Sequence, residues 1–396
     1  MKKLNILVVC DAVIRQVGGA FISPLRFSEL LKKRGHNVIL LAAKYPDTPE
    51  IDYYNGIKVY RFRSFALPKF EKLIRLAMPK KKEIEKILIE EKIDLVHIMI
   101  PAFAAFSSIK SARKNNIKIV SHSHTQPENI LLHLPTYLRG KLMINLIYWY
   151  LTRLYNKTDT TVCPSKFAER ILKTHKPELK TKVISNGVDL SQFNKIKSNT
   201  FIKKYNVPKN SKLILFVGRL HPEKSVDTLI KSMQWILKKD KNVILGIVGK
   251  GYLRDSLEVL SKDLNLEKNV KFFGCISDED LIQAYNSCDI FALPSLAELE
   301  GMVVLEAMAC GKPILIANSQ NSASVDFVEG NGLLFKPENP RDLAKKALII
   351  LKNDTLRKSM SEKSFKNIKD YDINKSIDKL EELYYSLLSL SSRGNS

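Results

Sequence analysis

The sequence predicts an α/β protein built from two parallel sheets in tandem, each covered by helices on both faces. Three observations carry this. Short apolar runs alternate with longer helical patterns, which is the signature of buried parallel strands joined by crossover helices. The alternation ends and starts afresh after Asn186-Gly187-Val188-Asp189. The 396 residues, 45% of them apolar, supply material for two or three packed domains and exclude global disorder.

In the first series Asn5–Val9, Asn37–Ala42, Ile93–Ile98, Ile117–Ser121 and Thr160–Val162 read as strands, and Pro24–Arg34, Lys81–Lys92 and Phe106–Asn115 as helices. Gly35 suits the residue that closes the first helix. In the second series Leu213–Gly218, Val243–Gly249, Val270–Phe273, Ile290–Leu293 and Pro313–Ala317 read as strands. Ser225–Lys238, Leu253–Leu264, Asp278–Asn286 and Met302–Cys310 read as helices between them. Two Rossmann-like domains, residues 1–187 and 188–372, are expected, with the linker near Val183–Pro208 and the cleft between them as the default site. Residues 373–390 carry Ile377, Leu380, Leu383, Tyr384, Leu387 and Leu388, a helical stripe that must pack on a core.

Against 41 Asp+Glu stand 64 Lys+Arg, a formal charge of +23. Residues 1–190 hold 33 basic and 16 acidic side chains, a net +17, so the basicity lies mainly in the first half and calls for an anionic partner there. No apolar run reaches the roughly 20 residues of a membrane-spanning helix. The start, Met1 to Asp11, is too short and too interrupted for a leader and reads as a first buried strand. Cys10, Cys163, Cys275, Cys288 and Cys310 are widely spaced without a Cys-x-x-Cys pair, as in reduced cytoplasmic thiols.

Five segments bear on the chemistry. Gly18-Gly19 precedes a helix and suits either a tight turn or the approach of backbone N–H groups to an anion. Gly218-Arg219-Leu220-His221-Pro222-Glu223-Lys224-Ser225 leaves a strand and opens a helix, where Arg219 and Lys224 fit a diphosphate or simply a solvated loop. Glu298 and Glu306 stand eight apart, before and inside an apolar helix, and carboxylates so placed accept from sugar or ribose hydroxyls. His122 and His124 alternate at a strand end, but without an evident third ligand they do not read as a metal site. Asp278-Glu279-Asp280 spells a metal-binding DxD, yet its setting reads as Ser277 capping an acidic first turn.

Taken together, Glu298-x7-Glu306, Gly218-Arg219-Leu220 with Lys224, Ser185-Asn186-Gly187-Val188-Asp189, and Gly18-Gly19 with Gly35-His36 resemble the retaining glycosyltransferases of family 4 (group 1), in that family's order. The string His124-Thr125-Gln126-Pro127-Glu128-Asn129 is similar to the diacylglycerol and glycolipid glucosyltransferase branch. The resemblance implies the GT-B fold, with two Rossmann-like domains facing a cleft, a nucleotide-sugar donor (UDP-sugar favoured) in the second domain, an acceptor in the first, and no obligatory metal. It implies that Arg219 and Lys224 neutralise the departing diphosphate and that Glu306 accepts from ribose. Glu298 with the backbone of Gly301, Met302 and Val303 would hold the sugar, Ile276 would lie against the base, Gly18 and Gly19 would close on the phosphates, and His124 would touch the sugar near the reacting carbon. Leu299-Glu300-Gly301 departs from the Gly-Phe-Gly that many members carry, and the extra carboxylate Glu300 leaves sugar identity open.

The acceptor is read from the basic half. Lys58–Lys82 holds nine basic residues and one acid, with Phe70, Leu73, Ile74 and Ala77 at helical spacing after Pro68. A basic amphipathic helix there, presenting Lys69, Phe70, Lys72, Leu73 and Arg75, suits an anionic membrane surface. Residues 130–157 add many apolar and aromatic side chains, four cations and no acid, a surface suited to a lipid. A membrane-peripheral, cytoplasmic glycolipid-forming enzyme is therefore expected. A soluble or cell-envelope oligosaccharide transferase is the alternative, and a non-catalytic carbohydrate-binding or nucleic-acid-binding protein fits the motifs less well.

Overall fold

A computed structural model describes residues 2–11, 19–66, 75–132, 140–196 and 200–392. The chain divides into two compact units, Met1–Ser185 with Ser376–Ser396, and Asn186–Lys375.

The first unit is built on β1 (Asn5–Val9), β2 (Asn37–Ala43), β3 (Ile51–Tyr54), β4 (Ile57–Phe62), a separate ribbon of β5 (Ser64–Ala66) and β6 (Arg75–Ala77), and then β7 (Leu95–Ile98), β8 (Lys118–His122), β9 (Thr160–Cys163) and β10 (Thr181–Val183). Its helices are α1 (Gly19–Lys33), α2 (Lys81–Glu90), α3 (Phe103–Lys114), α4 (Pro127–Leu131), α5 (Lys141–Tyr155) and α6 (Lys166–His175). The main sheet runs β10-β9-β8-β7-β1-β2-β4-β3, parallel except for β3. From β1 the chain builds outward through β2, then returns to place β7 on the other side, so the strand order reverses between β1 and β7. Ligands of open α/β sheets bind beyond the strand C-termini at such a reversal.

Two expectations change here. Helix α1 starts at Gly19 rather than Pro24, with Pro24 inside it and its carbonyl taken by the Ser28 hydroxyl at 2.7 Å. The basic stretch is no continuous amphipathic helix: Lys58 and Arg61 lie in β4, and Arg75 and Ala77 lie in β6, paired antiparallel with β5. Lys69, Phe70, Lys72 and Leu73 lie outside the described residues. The β3–β4 hairpin, absent from the expected strands, turns on Asn55-Gly56, both at positive φ (49° and 71°), as a two-residue hairpin turn requires.

The second unit carries β11 (Lys212–Val217), β12 (Val243–Val248), β13 (Val270–Gly274), β14 (Ile290–Leu293), the short β15 (Ala297–Glu298), β16 (Ile314–Ala317), the short β17 (Asn321–Ser322) and β18 (Gly332–Phe335). Around them lie α7 (Thr200–Lys204), α8 (Val226–Leu237), α9 (Arg254–Asp263), α10 (Asp278–Ser287), α11 (Met302–Ala309), α12 (Pro340–Leu351) and α13 (Asp354–Asn367). The main sheet is parallel in the order β13-β12-β11-β14-β16-β18, and its order reverses between β11 and β14. The central strands β12, β11, β14 and β16 are almost wholly buried, as a sheet covered on both faces requires.

The last helix, α14 (Ile373–Ser392), returns to the first unit. Its stripe buries Ile377, Leu380 and Tyr384. Its polar face is pinned by Arg34 to Asp378 (2.5 Å) and to Glu381, by His36 Nε2 to Glu381 (2.7 Å), and by the Tyr385 hydroxyl to the Lys2 carbonyl (2.7 Å). His36 thus serves the docking of this helix.

Candidate active site

In the second unit the reversal point lies between the loops that leave β11 and β14, and the segment Gly218–Lys224 meets the segment 294–301 there. The β11 loop is set by close backbone contacts: Gly218 N donates to Val248 O (3.0 Å) and Leu220 N to Lys250 O (2.9 Å). Gly249 is indispensable to this contact, because a Cβ there would stand 1.9 Å from the Gly218 carbonyl oxygen. The loop closes in a 3-10 turn, Pro222–Lys224, whose Glu223 carbonyl accepts from Leu296 N at 2.8 Å, joining the two loops.

Lys224 and Glu298 form an ion pair of 2.5 Å with both side chains largely buried. Arg219 reaches Glu223 at 3.2 Å yet keeps a substantially exposed guanidinium. Glu223, fully buried, also lies 3.8 Å from His221 Nδ1. Its part in orienting Arg219 was missed in the sequence, where it reads as one more acid in a polar loop. The cations therefore stand at the rim of the reversal point, already balanced by carboxylates.

Glu306 faces inward from α11 and accepts from the Tyr285 hydroxyl at 3.0 Å. Burial and the neighbouring Glu306 carboxylate hold the Tyr285 phenol well above its ordinary range, so it stays a donor. Gly301, at φ +87°, caps α11, and a Cβ would fall 2.1 Å from Ser324 Oγ. Met302 and Val303 open the helix, half-buried, with the first-turn N–H groups that anions favour. Ile276 follows β13 at the same C-terminal edge of the sheet, half-buried beside exposed Cys275.

Glu300 does not join this group. Its carboxylate is buried and accepts from Asn186 N (3.0 and 3.2 Å) and Asn186 Nδ2 (2.6 Å), fastening the first residue of the unit to the loop before α11. Nothing in the spacing of Leu299-Glu300-Gly301 announces this partner 114 residues away.

Asp278-Glu279-Asp280 opens α10, where Ser277 Oγ accepts from Asp280 N at 3.1 Å. The Asp280 carboxylate takes Lys204 (2.6 Å) and the Tyr205 hydroxyl (3.0 Å), which hold it below the usual carboxylate range. Among the described residues no cluster of three or more His, Cys, Asp or Glu is arranged for a metal ion.

The first unit presents a different edge. The register pairs His97 with Val120, which puts His122 on the same face. The rings of His97, His122 and His124 stack in a column, at 5.6 and 4.1 Å between centroids, with Phe27 on the side of His122 at 5.8 Å. His97 Nδ1 shares a 2.6 Å hydrogen bond with the Tyr384 hydroxyl of α14. Burial pushes His97 down to about 3, His124 down to about 4, and His122 well below the ordinary value, so the column is neutral. Two residues past β1, Asp11 accepts from Ala77 N (2.6 Å), and burial pushes its carboxyl up to about 7. Sequence reasoning passed over Asp11, since nothing local distinguishes it from a loop acid. Gly18 lies outside the described residues, and Gly19 is the first residue of α1. Arg75 is held by the Ser64 hydroxyl (2.7 Å) and Ser64 carbonyl (2.9 Å).

Two doubly wound units, the second with cations and carboxylates gathered at its reversal point, define a glycosyltransferase of GT-B fold. Residues 17–192 match Glycosyltransferase Family 4 and residues 197–367 match Glycosyl transferases group 1. An uncharacterized glycosyltransferase of Methanocaldococcus jannaschii is 30% identical over 347 residues, 83% of this chain and 84% of that one. On these matches the chain belongs to the group 1/family 4 glycosyltransferases. Alpha-monoglucosyldiacylglycerol synthase of Streptococcus pneumoniae is 24% identical over 79% of this chain and 70% of its own. Sulfoquinovosyl transferase SQD2 of Arabidopsis thaliana is 27% identical over 91% and 69%. Among solved structures, sucrose-phosphate synthase of Thermosynechococcus elongatus superposes with a TM-score of 0.81 at 19% identity, covering 98% of this chain and 100% of that one. HepE of Anabaena in complex with UDP-glucose superposes at 0.75 and 21%, covering 97% and 100%.

Proposed function

We propose that the protein is a retaining hexosyltransferase that takes its sugar from a UDP-sugar and passes it to a membrane lipid such as diacylglycerol or a glycolipid. The observation that carries this is the placement of Arg219, Lys224 and Glu298 at the reversal point of the second unit, with Glu306 behind them on α11. A diphosphate arriving beside Lys224 competes with Glu298 for the ammonium and releases carboxylate oxygens for the sugar hydroxyls. Glu306 accepts from the ribose, and Gly301, Met302 and Val303 offer backbone donors. As the bond from the anomeric carbon to the diphosphate breaks, Arg219 and Lys224 balance the charge left on the leaving group. The acceptor oxygen bonds to the same face, and its proton passes to the departing phosphate oxygen. His124, held neutral, lines the sugar without taking that proton.

The UDP donor is supported by the fold shared with HepE, whose structure holds UDP-glucose. The lipid acceptor is supported by one relative named for a lipid product, alpha-monoglucosyldiacylglycerol synthase, and by the basic first half. A matrix of UDP-, GDP- and ADP-sugars against diacylglycerol, a glucosyl lipid and soluble oligosaccharides tests the reading, with product anomers assigned by NMR. UDP release with a lipid acceptor and an α-linked product from an α-linked donor are expected. Absence of turnover with every pair would sink it, and turnover confined to oligosaccharides would move the enzyme to envelope polysaccharide synthesis.

A further inference from the structure

Helix α5 carries a face that its own unit leaves uncovered. Tyr148, Leu151, Leu154 and Tyr155 are buried on one side. On the opposite side Leu142, Leu146 and Trp149, at i, i+4 and i+7, are 84%, 53% and 56% exposed, and Arg153 continues the same line with its guanidinium 5.3 Å from the Trp149 ring. A solvated helix places polar side chains along such a line, and a large apolar strip there marks an interaction surface.

The charge around the strip selects the partner. Helix α5 contains no acid. Trp149, Arg153, Lys157, His175, Lys176 and Glu178 border a recess of about 390 Å³ at its C-terminal end. Arg153 and Lys157 make no ion pair with a carboxylate among the described residues, whereas two cations of the basic stretch before α2 are held inside the unit. There Lys58 is held by Glu91 (2.6 Å) and Arg61 by Asp52 (2.8 Å). An apolar stripe continued by unspent cations is the pattern of a helix lying in an anionic bilayer interface, apolar side chains among the acyl chains and cations at the headgroups.

We propose that the outward face of α5 docks on an anionic bilayer, with Leu142, Leu146 and Trp149 entering the interface and Arg153 and Lys157 holding lipid phosphates. The surface rests on the lipid-acceptor reading for its use, and the test separates the two. The chain has two tryptophans, so Trp235→Phe leaves Trp149 as the single reporter. Mixed with phosphatidylglycerol/phosphatidylcholine vesicles, this variant should show a blue-shifted Trp149 emission that brominated lipid quenches, and phosphatidylcholine alone should give neither.

Leu146→Ser should weaken vesicle sedimentation about tenfold or more, given the roughly 1.5–3 kcal/mol that burying a leucine side chain contributes. Arg153→Ser and Lys157→Ser should each weaken it about fivefold, the equivalent of the ~1 kcal/mol a cation contributes at an anionic surface. All three should keep the wild-type melting temperature and the wild-type rate of nucleotide release with a detergent-solubilised acceptor. Quenching equal on neutral and anionic vesicles, or none on either, would overturn the proposal. So would a doubled sedimentation mass that Leu146→Ser abolishes, since a second copy would then cover the strip. Lipid glycosylation in detergent without quenching on vesicles would reject the docking surface and leave the acceptor reading intact. Quenching without lipid glycosylation would do the reverse.

Discussion

The two sheets reverse their strand order in the same way and furnish their reversal points with opposite chemistry. In the second unit the C-terminal edge holds charge in balanced form: Lys224 on Glu298 and Arg219 on Glu223. In the first unit the described residues of the corresponding edge are nearly discharged, with three stacked imidazoles kept neutral by burial and an aspartate pushed up to about 7. A diphosphate needs cations whose own counter-ions can be exchanged. A buried edge of neutral rings offers an anion no such exchange. The same fold edge is thus specialised by a handful of side chains, while the backbone that carries them is shared.

The largest break in this contrast should come from the charged side. Lys224→Ala removes a cation expected to act on the leaving group and should lower kcat/KM for the nucleotide sugar by about 10²–10³-fold, as does loss of one oxyanion donor elsewhere. Steady-state kinetics check this, with circular dichroism to confirm the fold. Arg219→Ala, with its guanidinium substantially exposed, should cost less, on the order of tenfold.

Next comes the titration of the discharged edge. Asp11 has a folded pKa above its unfolded value, so the folded state binds the extra proton and stability falls as pH rises from about 4 to about 7. Asp11→Asn keeps the acceptor for Ala77 N and removes that slope. The gain above neutrality should be about 4 kcal/mol at 1.36 kcal/mol per unit, read from denaturant midpoints against pH. The histidines act in the other direction. Their folded values lie below the unfolded one, so stability is lost as pH falls from about 6.5 towards 3–4. His122→Phe should flatten the acid limb by one proton; an unchanged limb would show the column to be solvated.

Smaller effects sharpen the picture. Glu300→Gln replaces a carboxylate that accepts from both the backbone and the side chain of Asn186, and should cost about 2–3 kcal/mol of stability in the second unit. If donor KM is unmoved, Glu300 acts on the linker alone. Tyr384→Phe removes one buried hydrogen bond to His97 and should cost about 1 kcal/mol, confined to the first unit.

What was legible in the sequence was whatever repeats locally. The central strands and their crossover helices followed from runs of apolar residues, and the helix starts at Asp278 and Met302 were read correctly because Ser277 and Gly301 mark them. The edges were harder. Strand β18 and the β3–β4 hairpin are short and half-buried, so their hydrophobic signal is weak, although Asn55-Gly56 was a usable turn signal. Helix α1 was clipped because Pro24 reads as a first-turn residue. The candidate site residues Arg219, Lys224, Glu298 and Glu306 are named by family spacing alone. Glu223, Glu300 and Asp11 were not legible, since each gains its role from a chain segment brought alongside by folding.

One connection has a practical consequence. Val188 N donates to the Tyr371 carbonyl (2.8 Å) and Ile373 N to the Val188 carbonyl (3.0 Å), so the chain enters and leaves the second unit through adjacent, paired segments. The second unit is therefore, in the manner of a cassette, an insertion near the end of the first, whose final helix is supplied after it. Cutting the chain before Ser376 should unfold the half that begins at Met1. Residues 186–375, their two ends already fastened together, are the piece that should survive being lifted out and expressed alone.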